Sequence, residues 1–389
     1  MNLRNQVCSA VVVGGSNGIG LAIAANLMKK GYYVYILDII PVDEQLCEFQ
    51  DRYEYIYFDV RNMDYEVLNK LKDDSNVKIL MITAGIGRIA EFENLHIIEI
   101  QKMIEINTAA ISIIHAFYGR IKARKRFMCG VMGSIAGLVS SPMFSVYAAT
   151  KASIYRFVES VNIELEAAGI DNRILNVSPG AIKGTKFYGG ANDLNSLAEL
   201  ADLIVENLES KKGLLIPSYE EVYKGVLESY HADEHAFGLS SYEYKKASCR
   251  RDDKPRIKIG YLSGTFDLFH VGHLNLLEHA KKQCDYLIVG VHKDASHKGI
   301  DTFIPFEERM RIVGCCKCVD KVVTSCPEDS DAWDRWHFDR LFVGSDYKGT
   351  ERFIRYEKYF EDKGVEIIYF PYTQGISSTK IRAMFENKK

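Results

Sequence analysis

The feature that most constrains this chain is a short apolar strand running straight into a glycine-rich turn and then a helix. Ala10-Val11-Val12-Val13 is β-branched and apolar. It leads into Gly14-Gly15-Ser16-Asn17-Gly18-Ile19-Gly20, and a helical pattern runs from Leu21 to about Lys30. Glycines at 14, 18 and 20 permit a tight turn, close approach of a pyrophosphate and close packing of the helix. Such a unit is unstable alone and predicts a parallel sheet covered by helices on both faces.

Strands and helices alternate onward as that prediction requires. A second strand, Tyr33 to Leu37, ends in Asp38, placed to hydrogen-bond the adenosine ribose hydroxyls. The same carboxylate repels a 2′-phosphate. No Arg or Lys lies in the glycine turn or directly after Asp38, so NAD(H) is favoured over NADP(H). A third strand ends in Asp59-Val60, and a fourth, Val77 to Ile82, ends in Thr83-Ala84-Gly85. A helical stretch leads to Asn107, and a fifth strand ends in Gly133-Ser134. Tyr147 and Lys151 share one face of the next helix. A lysine beside a tyrosine is expected to lower the phenol pKa and equip it as a proton donor in carbonyl reduction. A sixth strand ends in Ser178-Pro179-Gly180.

Residues from about Val11 to Thr185 resemble the short-chain dehydrogenase/reductase family. The resemblance rests on the glycine turn, Asp59, Thr83-Ala84-Gly85, Asn107, Ser134, Tyr147, Lys151 and Pro179-Gly180. It implies hydride transfer with a nicotinamide cofactor. Tyr147 protonates the carbonyl oxygen, Ser134 holds it, Lys151 binds the nicotinamide ribose and Asn107 supports a proton relay. Gly14, Ser16, Asn17, Gly18, Ile19, Gly20, Asp38, Asp59, Val60, Ala84, Gly85, Pro179 and Gly180 form the expected cofactor site. Val13 stands where the family usually has Thr, and Ile82-Thr83 where it has paired Asn. Both changes bear on local packing more than on chemistry. Arg88, Lys183 and Lys186 are placed either to pair with a phosphorylated substrate or to lie as solvated surface charges.

From His231 to Pro255 the chain is polar and reads as a linker. It divides a reductase domain over 1–230 from a second domain over 256–389. The second domain opens with a strand, Ile257 to Leu262, then Gly264-Thr265-Phe266-Asp267-Leu268-Phe269-His270-Val271-Gly272-His273, then a helix. Two histidines at a strand-to-helix turn, facing free helix N–H groups, suit an anion and its growing charge in a transition state. Further strands carry Lys298 in a loop, Pro305 to Arg309 at a helix start, and Gly344-Ser345-Asp346. A last strand leads to Gly375-Ile376-Ser377-Ser378-Thr379-Lys380-Ile381. These hydroxyls suit a triphosphate cradle, and Ser377 or Ser378 equally suits a helix N-cap.

This half, about Lys258 to Met384, resembles the glycerol-3-phosphate type of cytidylyltransferase, a branch of the HxGH nucleotidyltransferases. The resemblance implies CMP transfer from CTP, with Mg²⁺, to a phosphate monoester, releasing pyrophosphate. His270, His273 and Lys298 are the expected catalytic residues. Gly264, Thr265, Phe266, His270, His273, Arg309, Asp346, Ser377, Ser378 and Thr379 are the expected nucleotide contacts, with Arg309 neutralising phosphate charge. Tyr372 and Gln374 replace the usual Arg and Glu before the Gly-Ile-Ser run.

The expected fold class is therefore α/β in two domains, an N-terminal Rossmann-fold doubly wound parallel sheet and a C-terminal Rossmann-like nucleotidyltransferase domain. Composition is compatible with both cores, at 47% hydrophobic and 26% charged residues over 389 positions. A net charge of -3 gives no reason for a nucleic-acid or anionic-membrane partner. Nine cysteines, with no visible signal peptide or membrane-length apolar run, point to a reducing cytoplasmic setting. Cys315 and Cys318 have CxxC spacing without a convincing second ligand pair, and no protein-bound metal is expected. Small-molecule substrates are the expected partners, and the reductase resemblance implies a homodimer.

Overall fold

The computed structural model describes residues 7–185, 187, 191–247, 257–294, 301–371 and 381–382. It divides into two compact units, Met1–Asp252 and Asp253–Lys389.

The first unit is built on seven parallel strands in the order β3-β2-β1-β4-β5-β6-β7. These are β1 (Ser9–Val13), β2 (Tyr33–Asp38), β3 (Tyr53–Tyr57), β4 (Val77–Ile82), β5 (Met128–Met132), β6 (Ile174–Val177) and β7 (Leu214–Leu215). Helices α1 (Gly18–Lys29), α2 (Tyr65–Asp73), α3 (Ile97–Ile121), α4 (Ser145–Ala167) and α5 (Leu194–Glu209) connect them. Alternate residues of each strand point to opposite faces, so the sheet sorts its side chains into two cores. Val11, Val13, Tyr35, Leu37, Leu80 and Ile82 pack with α2, α3 and α4. Ala10, Val12, Val34, Ile36, Ile79 and Met81 pack with α1 and α5. Strand order reverses between β1 and β4, which opens a crevice at their C-terminal ends. The glycine turn, Asp38 and Thr83 all stand on this edge.

Two helices follow β7: α6 (Lys224–Ala232) and α7 (Glu234–Ala247). The expected linker over 231–255 is thus corrected: much of it is helix and belongs to the first unit. No residue of α7 is buried, so it lacks the apolar stripe by which a helix shows in sequence.

The second unit carries five parallel strands in the order β10-β9-β8-β11-β12. They are β8 (Ile259–Gly264), β9 (Tyr286–Val291), β10 (Lys321–Thr324), β11 (Arg340–Gly344) and β12 (Glu366–Phe370). Its helices are α8 (Val271–Lys281), α9 (Phe306–Gly314), α10 (Asp329–Trp336) and α11 (Glu351–Glu361). Leu262, Leu277, Ala280, Leu287, Val289, Val313 and Phe342 form its core. The order reverses between β8 and β11, which places Gly264 and Gly344 at the mouth of a second crevice. Among the described residues, no helix is long and apolar enough to cross a membrane.

Candidate active sites

In the first unit the turn after β1 is shaped by close approach. Gly14 has φ +82°, and a Cβ there would lie 2.5 Å from the Ala84 nitrogen. A Cβ on Gly20 would lie 2.2 Å from the Gly14 carbonyl oxygen. Only glycine fits at either position. Thr83, the departure from paired Asn, braces this turn. Its hydroxyl bonds the carbonyls of Val13 at 3.0 Å and Gly14 at 2.9 Å. Asp38 accepts from the Ser16 N–H at 3.0 Å, which ties the end of β2 to the turn. The Ser16 hydroxyl is buried and has no partner among the described residues. A cradle closed to side chains, with an orphaned hydroxyl at a helix N-terminus, fits a dinucleotide pyrophosphate.

Asn192, which sequence reasoning missed, completes the cradle. Its Oδ1 accepts from the Gly18 N–H at 2.9 Å, and its Nδ2 donates to Asn17 Oδ1 at 3.1 Å and Asp43 Oδ2 at 2.8 Å. No local signal marks it, because its partners lie far away in the chain. Asp59 and Val60 follow β3 on the same edge. Burial alone raises the Asp59 pKa, but hydrogen bonding and charge from Arg61, 2.7 Å away, outweigh it and hold the carboxyl low. Ala84 and Gly85 follow β4.

The expected catalytic set converges beside Pro179 and Gly180. Ser134 Oγ donates to the Pro179 carbonyl at 3.4 Å and also hydrogen-bonds Tyr147. Lys151 Nζ donates to the Met132 carbonyl at 2.8 Å and lies 5.6 Å from the Tyr147 ring centre. Phe144 stacks on Tyr147 with ring centres 4.2 Å apart, and Phe187 lies 5.5 Å from it. The expectation of a lowered phenol pKa is corrected here. Burial pushes Tyr147 up to about 12, against a smaller lowering by Ser134, and pushes Lys151 down to about 8. Desolvation outweighs the attraction of a lysine held at this distance.

Asn107 is buried in the same region. Its side chain donates to the Ile86 carbonyl and Thr150 Oγ1, both at 2.9 Å, and accepts from the Ile86 N–H at 2.8 Å. The side chain therefore clamps the loop after β4. Arg88 is ion-paired at 2.5 Å with the buried Glu99, so its charge is already matched inside the protein. Lys183 is exposed, and Lys186 lies outside the described residues.

In the second unit the histidines stack with ring centres 4.1 Å apart. His270 Nδ1 accepts from the Gly272 N–H at 3.0 Å, and His273 Nδ1 accepts from the His270 N–H at 3.3 Å. A capping box is thus made by two imidazoles, closing the N-terminus of α8. With each Nδ1 acting as acceptor, the neutral ring carries its proton on Nε2. Burial lowers the His270 pKa, which favours that neutral form. Phe266 and Leu268 hold left-handed φ of 53° and 50°, a strained turn that the surrounding structure must impose. The buried Thr265 hydroxyl has no partner among the described residues, as fits a site made for a further polar group.

Arg309 departs from expectation. It is fully buried, with 0% exposure. Its guanidinium donates to the carbonyls of Ile304 at 2.9 Å, His292 at 2.8 Å and Lys293 at 2.7 Å, and to that of Thr265. It knits three loops behind the histidine turn and does not offer its charge to phosphate. Asp267, part of the Gly264–His273 stretch but given no role there, accepts from the Phe303 and Ile304 N–H groups at 3.0 and 2.9 Å and pairs with Arg382. Gly264 ends β8 and Asp346 stands exposed just past β11, across the second crevice. Lys298, Ser377, Ser378, Thr379, Tyr372 and Gln374 lie outside the described residues. No metal-binding cluster occurs among the described residues.

Known proteins match both units. A family model described as short chain dehydrogenase matches residues 9–194, and one described as cytidylyltransferase-like matches residues 261–384. The glycerol-3-phosphate cytidylyltransferase of Bacillus spizizenii is 36% identical over 123 residues, covering 31% of this chain and 90% of that protein. The ethanolamine-phosphate cytidylyltransferase of Dictyostelium discoideum is 36% identical over 141 residues, covering 34% of this chain and 38% of that protein. A solved short-chain dehydrogenase from Streptomyces avermitilis superposes with a TM-score of 0.49 at 22% identity, over 62% of this chain and 99% of that one.

The chain belongs to the cytidylyltransferase family in its second unit and carries a short-chain dehydrogenase domain ahead of it. It is an enzyme, an oxidoreductase fused to a cytidylyltransferase.

Proposed function

We propose that the two units act in sequence on one substrate. The first reduces a keto-sugar phosphate to a polyol phosphate, and the second transfers CMP from CTP to that phosphate, giving a CDP-polyol and pyrophosphate. CDP-ribitol and CDP-glycerol are the leading products, precursors suited to capsule or teichoic-acid-like polymers made from the cytoplasm. The observation that carries this reading is the presence, in one chain, of the Ser134–Tyr147–Lys151 set over a dinucleotide cradle and the paired histidines on α8. A phosphate acceptor that has just been reduced gives both a task.

In reduction, NAD(P)H supplies the hydride to the carbonyl carbon. Ser134 holds the carbonyl oxygen, and Tyr147 delivers the proton to it. Lys151 is mostly protonated at pH 7 and is placed to meet the nicotinamide ribose. Asp38 favours NAD(H), since a second negative charge beside it is repelled. In transfer, the acceptor phosphate oxygen attacks the α-phosphorus of CTP and pyrophosphate leaves. The acceptor is already ionised, so positioning and charge stabilisation suffice without a general base. The Nε2–H groups of His270 and His273 are the donors for the developing charge. Mg²⁺ enters with CTP.

The test supplies NAD(P)H, CTP, Mg²⁺ and a panel of ketose phosphates, following nicotinamide absorbance and pyrophosphate. Tyr147→Phe should abolish reduction and leave transfer to an added polyol phosphate intact. His273→Ala should do the reverse. Pyrophosphate release with ethanolamine phosphate but with no polyol phosphate would overturn the reading.

A further inference from the structure

Three side chains from the segment after β7 reach three different loops around Tyr147. The hydroxyl of Tyr223, just before α6, sits against Gly180, where a Cβ would lie 1.5 Å from it. The hydroxyl of Tyr242 on α7 bonds Glu91 Oε1 at 3.0 Å. Lys245, near the end of α7, donates to Ser141 Oγ at 2.8 Å and to the Pro142 carbonyl at 2.9 Å.

The contacts of Lys245 lie a short path from the reacting phenol. Met143 follows Pro142 and is held at φ 61°, a left-handed conformation that a non-glycine residue keeps only when its surroundings impose it. Both flanking peptide groups are tied. The Pro142 carbonyl accepts from Lys245, and the Met143 carbonyl accepts from the Ala90 N–H at 2.8 Å. The next residue, Phe144, stacks on Tyr147 at 4.2 Å. Release of the Pro142 carbonyl frees the strained residue that aims Phe144.

We propose that α7 forms an outer wall of the reductase site and that Lys245 is a positioning residue. It holds the Ser141–Phe144 turn so that Phe144 fixes the Tyr147 ring. The reductase therefore depends on a helix that lies beyond the segment matched by the dehydrogenase family model.

The test uses the full chain as Lys245→Met and Lys245→Arg. Its kinetic arm rests on the proposed function and takes ribulose 5-phosphate as the probe. Lys245→Met is expected to lower kcat/KM for the ketose phosphate about tenfold or more, the scale set by small misplacements of reacting groups. KM for the nicotinamide cofactor and CMP transfer by the second unit should stay unchanged, and Lys245→Arg should recover most of the loss. The second arm needs no substrate: amide hydrogen exchange over Ser140–Phe144 should quicken in Lys245→Met and not in Lys245→Arg. Unchanged kinetics with unchanged exchange overturns the proposal, and so does loss of the first unit's own melting transition, which marks unfolding and not misplacement. If the unaltered chain reduces no ketose phosphate, the substrate reading fails, and the exchange arm alone decides the role of Lys245.

Discussion

The Nδ1 atoms of His270 and His273 both accept backbone N–H groups at the start of α8, so each imidazole has a structural end and a chemical end. Asparagine separates the two. Its side-chain oxygen reaches the same cap position, and it has nothing at the place of Nε2. His270→Asn should keep the thermal midpoint of the second unit and lose roughly a hundredfold or more in pyrophosphate release. His270→Ala should lose the activity and also about 1 kcal/mol of stability. Acid has a related effect: protonating Nδ1 breaks the cap. Since burial lowers the His270 pKa below its ordinary 6.5, the transfer rate should hold where a free imidazole would already titrate and decline only at more acid pH.

Lys151 carries a prediction of the opposite kind. Burial brings its pKa from 10.5 to about 8, so the folded protein holds a charge that the unfolded chain solvates better. The sign follows from proton counting. Below about 8 both states are protonated and the full penalty applies; above 10.5 both are neutral and it vanishes. Lys151→Met should therefore abolish reduction yet stabilise the first unit at pH 7, by roughly 1–3 kcal/mol. The gain should shrink as pH rises through that window. Denaturant melts at pH 7 and pH 10 read it directly.

At the scale of elements, the alternation of strand and helix was legible because each strand is short, β-branched and followed by its turn chemistry. Those signals lie within a few residues of one another. Helix α7 was not legible. It buries none of its residues and holds its place through a phenol and an ammonium whose partners lie near residues 91 and 141. Arg309 shows the same limit. Its position in the Pro305–Arg309 stretch is visible, but not the carbonyls that surround it. Arg309→Met should leave those carbonyls without a donor and destabilise the second unit by about 3 kcal/mol or more. A phosphate-binding role would instead raise the KM for CTP with stability intact. Calorimetry beside CTP kinetics separates the two.

At the scale of the molecule, each of the large apolar clusters among the described residues belongs to one unit. The clusters around β1 and β4 contain no residue of the second unit, and the cluster around β8 contains none of the first. Cooperativity follows shared cores, so heating should give two separable transitions. Bound NAD(H) should raise only one and CTP only the other, each through preferential binding to its folded unit. A single transition moved by both ligands would overturn this independence.

What the sequence determined by itself is what local chemistry can encode. Periodic apolar strands specify two parallel sheets, glycines specify the tight turn after β1, and Ser134, Tyr147, Lys151, His270 and His273 carry the proposed chemistry. What only the tertiary structure decided is the state and employment of those groups: a phenol raised by burial, imidazoles that cap their own helix, Asn192 in the glycine turn, and Arg309 turned inward to backbone carbonyls. Desolvation and hydrogen-bond partnership are set by residues distant in the chain, and no local pattern records which of them will meet.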